Sequence, residues 1–481
     1  MTQLQEAVDV PSLPQIFQDT IQIAYHLGIE YLWIDALCIK QDKDNASDWE
    51  IEAQNMSKIY SCAFLNVSAT LSSDGAESLF QERPRDPILP LQIDLDVNGT
   101  EQTYYVLNDN IWDEEITHAP LNERGWVFQE RFLARRVLHF GQRQMAWECR
   151  ELDTLEMFPN GLPQPCTLTF HGKSNTDDRL SALIGQSDLT LDHFVDTWQD
   201  LVTNYSKCRL TYAKDKLIAF LGVAKRILGT RIDHYVAGMW QESIVYDLPW
   251  WRTSEDKRAF PISQTLSRAP SWSWASVDGE INFPAVSQAE WPLTNILGIL
   301  RSGRNGSGLY AESITIRAEG VCLPFSVDWS NGDIVSFKVD GLDFSIENDL
   351  GSTAVDLEVS EQEMQEWVQH GAVLLLPLFA STHSLHGILL RKIDEGTYYR
   401  IGAAEISRES DSPPSQDSLV EMRSVGTQNA EPPLSRSDVL VDVASDSQAE
   451  TWNILWNKNA ALERNIVQRL EEGRTCIVDI S

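Results

Sequence analysis

The chain of 481 residues lacks a long apolar run and a basic amino terminus. A membrane-spanning helix needs about 20 consecutive apolar residues, and a secretion signal needs a basic start before an apolar core, so the sequence predicts neither. Basic residues are also scarce, since 38 lysines and arginines stand against 71 acids and the net charge is −33. This excess of negative charge argues against binding to nucleic acid or to an anionic membrane. We therefore expect a cytoplasmic protein.

The seven cysteines form no C-x-x-C pair and do not cluster with histidine. Zinc sites and disulfide frameworks usually show such spacings, so the sequence predicts no metal site. It predicts that the thiols are reduced. It also has no G-x-S-x-G, P-loop or G-x-G-x-x-G motif. The absence of these motifs argues against a serine-hydrolase elbow and against the common phosphate-binding loops.

Apolar residues are plentiful, and their spacing organises the first part of the chain. Leu13–Gly28 has helical spacing, and Tyr31–Ile34 is a run of bulky β-formers without alternation, which predicts a strand covered on both faces of a parallel sheet. Asp35 follows at the carboxyl edge, where open α/β sheets bind ligands. With a further strand predicted at Phe64–Ser68, the order indicates an α/β domain.

A carboxylate lies within the apolar arc of the next predicted helix, Asp48–Tyr60. Ser47 and Glu50 form a capping box that starts this helix, and Glu52 falls among its apolar residues. Burying an unpaired carboxylate costs several kcal/mol, so Glu52 is expected either to pair with an arginine or to line a ligand site. The candidate partners are Arg124, Arg131 and Arg135.

A second dense stretch, Leu121–Cys149, mixes charged and aromatic residues. A helical segment carries Trp126, Gln129 and Glu130, and two strands joined by a glycine turn follow at Val137–Phe140 and Met145–Trp147. Such polar density within apolar packing indicates either an internal ion-pair network or one wall of a ligand site, and both interpretations stay open.

The length and the changes in composition predict several domains. The α/β domain is expected over residues 1–165, a helical connecting region over 166–268, a β-rich region over 269–407, a disordered acidic linker over 408–450, and a terminal helix with a tail over 451–481. In the β-rich region, the period-two pair Trp272 and Trp274 favours a core seam over a binding platform. The overall class is therefore α+β.

Several of these segments, in this order, resemble the fungal heterokaryon incompatibility (HET) domain. The segments are LWIDALCIKQ from Leu32, DW-x-x-EA-x-x-M-x-x-IY from Asp48, LNERGWVFQERFLARRVLHFG from Leu121, and the WEC that follows. Later segments, among them APSWSWASVDG from Ala269, resemble sequences that accompany this domain. The family's opening Leu-Ser-Tyr-x-Trp-Gly strand is not found before Pro11, which predicts a shortened domain.

The resemblance implies a role in allorecognition and programmed cell death, through a TIR-like parallel-sheet domain with protein partners or self-association. Some TIR domains cleave NAD with a glutamate, so NAD is the one small molecule that the resemblance suggests, as a substrate. The family positions carried over to this chain are Asp35, Cys38, Gln41, Glu52, Trp126, Gln129 and Glu130.

Two function classes therefore stay open: a signalling module that works by assembly, and an NAD-cleaving hydrolase. In the hydrolase, Glu52 would stabilise an oxocarbenium-like transition state and Asp35 would orient a ribose or a water. The residues assigned to ligand contact are Trp49, Gln41, Trp126, Gln129 and Glu130.

Overall fold

The computed structural model describes residues 8–40, 46–72, 77–82, 91–97, 100–106, 108–163, 191–228, 234–253, 268–285, 291–302, 313–330, 333–339, 342–345, 351–355, 361–380, 384–407 and 475–481. The chain divides into two compact units. Unit 1 contains residues 1–187 and 205–232, and unit 2 contains residues 188–204 and 233–481. The helices of the predicted connecting region, 166–268, are divided between these units. The predicted linker 408–450 and the helical part of the terminal segment lie outside the described residues.

Unit 1 is a mixed α/β unit. Its α-helices and β-strands up to residue 163 are α1 Gln15–His26, α2 Asp35–Cys38, α3 Ala46–Cys62, β1 Asn66–Ser68, β2 Leu91–Val97, β3 Thr100–Val106, α4 Gly125–Leu133, β4 Arg136–Phe140, β5 Met145–Cys149 and β6 Asp153–Leu155. A 3₁₀ turn at Val10–Ser12 and a π-helical turn at Asp113–Thr117 also belong to this part. The unit boundary then falls within α5, Leu191–Ser206, and α6, Lys216–Leu228, returns to unit 1. Among the described residues no helix has both the length and the apolar character of a membrane span.

The helices of unit 1 follow the sequence patterns closely. Helix α1 lies within the predicted Leu13–Gly28, and Gly28 adopts the left-handed conformation (φ +69°) that ends a helix and favours glycine. Helix α3 starts two residues before the predicted Asp48 and continues to Cys62. The mixed α+β class is therefore confirmed for this part of the chain.

The main sheet of unit 1 has the order β1-β4-β5-β6. Strands β1 and β4 are parallel, with Asn66 opposite Val137, whereas the β4-β5 and β5-β6 pairs are antiparallel. The strand predicted at Tyr31–Ile34 is wrong. These residues pair with no described strand, and Tyr31 is 87% exposed, so the run is not covered on both faces. Bulky β-formers alone do not make a strand, because the backbone also needs a hydrogen-bonding neighbour.

A buried ion-pair network joins α4 to the sheet. Arg131 donates two hydrogen bonds to Glu148, from Nε to Oε2 at 2.8 Å and from Nη2 to Oε1 at 3.0 Å. His139 Nε2 lies 3.1 Å from the same Oε2, and its Nδ1 lies 3.0 Å from the hydroxyl of Thr70. The side chain of Glu148 is only 2% exposed. The polar density of Leu121–Cys149 thus forms, in part, the internal network that was one of its two interpretations.

Unit 2 is dominated by β-structure. Its strands are β7 Tyr235–Val236, β8 Met239–Trp240, β9 Trp251–Arg252, β10 Ile281–Asn282, β11 Trp291–Pro292, β12 Asn295–Ser302, β13 Ser313–Val321, β14 Leu323–Ser330, β15 Asp333–Val339, β16 Leu342–Ser345, β17 Gly351–Val355, β18 Val373–Ala380, β19 Ser384–Asp394, β20 Thr397–Ser407 and β21 Thr475–Ile480. Its further helices are α7 Ile244–Asp247 and α8 Glu361–Gln369.

Most strands of unit 2 form one sheet, ordered β12-β13-β21-β20-β19-β18-β14-β15-β16, with β11 beside β18 and β17 beside β20. The segment around Trp272 and Trp274 is not a strand, because Trp274–Ser276 forms a 3₁₀ turn. Both indoles are nevertheless fully buried, and their N–H groups donate to the backbone oxygens of Ile314 and Gly238. The core interpretation of this pair is confirmed.

Two glutamates that both pair with arginine should differ greatly in their contribution to the free energy of unfolding, because only one of the two pairs is buried. Replacing Glu148 by glutamine should lower the free energy of unfolding by about 3–5 kcal/mol, because Arg131 is left buried without its counter-charge. The matched change Glu114→Gln removes an ion pair to Arg143 whose side chains are about half exposed, and it should cost less than about 1 kcal/mol. Urea unfolding followed by circular dichroism measures both, and equal losses would contradict the account.

Candidate functional site

A cavity of about 920 Å³ lies within unit 1. It is bordered by α1, by the extended residues before α2, by α3, by β1 and by the first turns of α4. Much of its wall is apolar, but four polar side chains of the wall act on one another: Asp35, Tyr60, Arg124 and Glu130. Volumes of this size are typical of small-molecule sites.

Helix α4 supplies the acid of this cavity. Trp126 and Glu130 are four residues apart, so both face the cavity from the same side of the helix. The start of the helix is held where the Gly125 N–H donates to the backbone oxygen of Arg209 at 2.8 Å. A Cβ at position 125 would lie 2.6 Å from a methyl carbon of Leu210, so glycine permits this close approach.

The carboxyl group of Glu130 is the most perturbed acid on the cavity wall. Burial raises its pKa to about 7, and the negative charge of Asp35 adds to the increase. Two contacts oppose it: the Tyr60 hydroxyl donates to Oε2 at 2.7 Å, and the positive charge of Arg124 favours the carboxylate. Near neutral pH, Glu130 is therefore divided between its acid and carboxylate forms, which suits a group that takes up or releases a proton.

Tyr60 reaches Glu130 from α3 and is itself perturbed. Burial raises the pKa of its hydroxyl far above the ordinary value, and the neighbouring Glu130 raises it further. The hydroxyl thus remains a donor throughout the physiological range. It fixes the orientation of the Glu130 carboxyl group inside the cavity.

Two aromatic pairs flank these polar groups. Trp33 and Tyr60 meet edge to face with centroids 5.6 Å apart, and Trp49 and Trp126 do so at 6.0 Å. Edge-to-face contact locks the rings in place. All four rings lie on the cavity wall, so this part of the wall is apolar and held by ring contacts.

Four of the residues predicted from the sequence lie on the cavity wall: Asp35, Trp49, Trp126 and Glu130. Asp35 is exposed at the start of α2, where Oδ1 also accepts a hydrogen bond from the Ala36 N–H at 2.7 Å. It therefore stabilises the local turn and contributes charge to the cavity. Gln41 lies outside the described residues.

The structure places the other two predicted residues away from the cavity. Glu52 is partly exposed on α3, does not line the wall, and makes no ion pair within the described part of the chain. Gln129 is buried on another side of α4, where Oε1 accepts a hydrogen bond from the Gly222 N–H at 2.8 Å. Its amide oxygen is therefore used to join α4 to α6.

Tyr60 and Arg124 were not predicted as members of the site. Tyr60 appears in the sequence analysis only as the last residue of the predicted helix Asp48–Tyr60. A tyrosine hydroxyl that packs against the core usually needs a hydrogen-bond partner, and that requirement was a usable signal. Arg124 was considered only as a partner for Glu52. Its side chain is exposed beside Glu130, and Glu130 is the acid whose pKa it lowers.

The fold and cavity define an α+β domain with a ligand-sized site that contains an acid. Residues 2–130 match the family model described as Heterokaryon incompatibility protein (HET), and every residue that lines the cavity lies within this range. The resemblance seen in the sequence is thereby confirmed for the amino-terminal part of the chain, which is a HET domain. No curated protein and no solved structure matches the chain.

The raised pKa of Glu130 predicts how stability depends on pH. Folding raises this pKa from 4.5 to about 7, so the protonated form is favoured in the folded state. The stabilisation is complete below about pH 4.5 and is lost as the pH rises through about 7, by at most about 3 kcal/mol.

Glu130→Gln should remove this part of the pH dependence, so the difference in free energy of unfolding between the two proteins should change between pH 4.5 and pH 8. Asp247, whose pKa burial also raises to about 7, is present in both proteins and cancels. Urea titrations at several pH values measure the difference. A constant difference across this range would show that Glu130 titrates normally.

Proposed function

We propose that this chain acts in heterokaryon incompatibility, as a signalling protein of fungal allorecognition and programmed cell death, and that the cavity of its HET domain is the working site. The observation that carries this proposal is the coincidence of two independent features. The residues that match the family model contain the whole cavity wall, including its perturbed acid.

The composition of the wall supports a small-molecule step in this signalling. Glu130 can exchange a proton near neutral pH, Arg124 offers an exposed positive charge, and Asp35 offers an acceptor for hydroxyl groups. A surface used only for assembly has no need for a partly buried acid with a pKa near 7, because removing that acid from water is costly. The signal is therefore expected to depend on a ligand held in the cavity.

Cleavage of NAD is the second candidate function, and the chemistry of the same wall favours it. Breaking the bond between nicotinamide and ribose creates positive charge on the ribose, which a nearby carboxylate stabilises. Water then adds, giving ADP-ribose, nicotinamide and a proton. In this reaction Glu130 takes the role that the sequence assigned to Glu52. Arg124 would contact the pyrophosphate, Asp35 a ribose hydroxyl, and the indole rings of Trp49 and Trp126 a base.

Cell death on expression tests the first proposal. The wild-type chain and Glu130→Gln are expressed from the same promoter in a filamentous fungus, and dead compartments are counted with a vital dye at matched protein levels. Glu151→Gln is the control, since Glu151 is exposed and does not line the cavity. The wild type and the control should kill, whereas Glu130→Gln should reduce the dead fraction at least tenfold. Equal killing by all three would overturn the role of the cavity.

Nicotinamide release from NAD tests the second proposal and decides between the two glutamates. With purified protein, Glu130→Gln should slow release by about 10²-fold or more, as expected for loss of an acid or a charge-stabilising group. Glu52→Gln should change it less than about threefold, because Glu52 is not on the wall. If only Glu52→Gln abolishes release, the assignment to Glu130 is wrong. If the wild type releases none, the hydrolase is excluded while the cell-death experiment stands by itself.

A further inference from the structure

Two cysteines that are far apart in sequence meet in the large sheet of unit 2. Cys322 lies at the junction between β13 and β14, and Cys476 lies in β21. Their Sγ atoms are 2.7 Å apart. A disulfide bond is about 2.05 Å long, so closure requires the sulfur atoms to move by less than about 1 Å. Both residues are partly exposed, which gives a small oxidant access to the pair.

The register of the sheet explains why the two thiols meet. Strands β13 and β21 are antiparallel, with Gly320 opposite Cys476 and Val321 opposite Thr475. Side chains alternate between the two faces of a strand, so residue 322 is directed to the same face as residue 320 and becomes the diagonal neighbour of Cys476. The contact is therefore built into the strand pairing and does not depend on a surface loop.

We propose that Cys322 and Cys476 form a reversible disulfide bond that fixes β21 in the sheet, and that a low-molecular-weight disulfide such as glutathione disulfide is the oxidant. This is a modification site, separate from the cavity of unit 1 and independent of the function proposed for it. In a reducing compartment the pair is a dithiol, and it closes when the ratio of oxidised to reduced glutathione rises.

The reaction proceeds by two exchanges. The Cys476 thiolate attacks one sulfur of glutathione disulfide and releases a glutathione thiolate. Cys322 then loses its proton to water and attacks the Cys476 sulfur, which forms the protein disulfide and releases the second glutathione thiolate. Two thiols of the protein are oxidised and one glutathione disulfide is reduced. Cys476 is assigned the first attack because burial raises the pKa of the Cys322 thiol and so reduces its thiolate fraction.

A disulfide bond at β21 would tie a strand that is distant in sequence to the middle of the sheet. Strand β21 lies between β13 and β20 in the sheet, although residues 408–474 separate it from β20 in the sequence. In the reduced state it is held by its strand pairing, by contacts of Ser481, and by two hydrogen bonds from Arg317 to Asp479 at 2.7 and 2.8 Å. The disulfide closes a loop of more than 150 residues, and β21 cannot then leave the sheet without straining that bond.

Peptide mapping of the full-length protein tests the proposal directly. The purified chain is equilibrated with glutathione at increasing oxidised-to-reduced ratios, alkylated, and digested with trypsin without reduction. Cleavage after Arg317, Lys338 and Arg474 releases AEGVCLPFSVDWSNGDIVSFK and TCIVDIS, each with one cysteine. The two peptides should appear joined, about 2 Da lighter than their sum, and should separate again when reduced glutathione is restored. If both are alkylated at every ratio, the proposal is wrong.

Two variants add a test of function for the bond. In Cys322→Ser, Cys476 should accumulate a mixed disulfide with glutathione, because the second exchange has no attacking thiol. The wild type should show a higher thermal midpoint for unit 2 when oxidised than when reduced, and this shift should vanish in Cys322→Ser. It should persist in Cys149→Ser, a control that removes a comparably exposed thiol from unit 1. A shift that survives in Cys322→Ser would contradict the assignment.

Discussion

The bidentate ion pair between Arg131 and Glu148 is the interaction on which the arrangement of unit 1 depends. It holds α4, a helix of nine residues, against the sheet strand β5. The two residues before Arg131 then have fixed directions: Gln129 bonds to α6, and Glu130 faces the cavity. Because three consecutive side chains are directed to three different environments, the helix has little freedom to rotate. The position of the site acid is thus a consequence of packing.

The surroundings of two glutamates explain why Glu130 has a raised pKa: Glu148 has a cationic partner close by, and Glu130 has none at that distance among the described residues. Glu148 is buried beside a cation, so its charge is compensated. Glu130 is partly buried with only a hydrogen bond from Tyr60 and the charge of Arg124, so the cost of ionisation is only partly offset. One short segment therefore contains both a buried ion-pair network and an acid on the cavity wall. The network interpretation of Leu121–Cys149 is confirmed, and the ligand-site interpretation stays a prediction.

Much of this fold could be predicted from periodicity. Helices α1 and α3 and strands β4 and β5 follow directly from the spacing of apolar residues and from glycine stops. The predictions that were wrong or missing concern features that depend on contacts between segments far apart in the sequence. Residues Tyr31–Ile34 have the composition of a strand but no pairing partner among the described strands, and β21 was missed because its pairing with β13 crosses more than 150 residues. Glu52 was preferred over Glu130 because a helical wheel shows which residues share a face, and it does not show which face meets a cavity.

Glu130, hydrogen-bonded by Tyr60, is the acid of the HET-domain cavity whose pKa lies near neutral, and its protonation can be observed directly. The protein would be labelled with ¹³C at the glutamate carboxyl carbons, and the Glu130 resonance would be identified by its loss in Glu130→Gln. A pH titration should give a pKa of about 7 for this group, and Tyr60→Phe should move it higher, since the tyrosine hydrogen bond favours the carboxylate. A wild-type pKa near 4.5, or no response to Tyr60→Phe, would contradict the account.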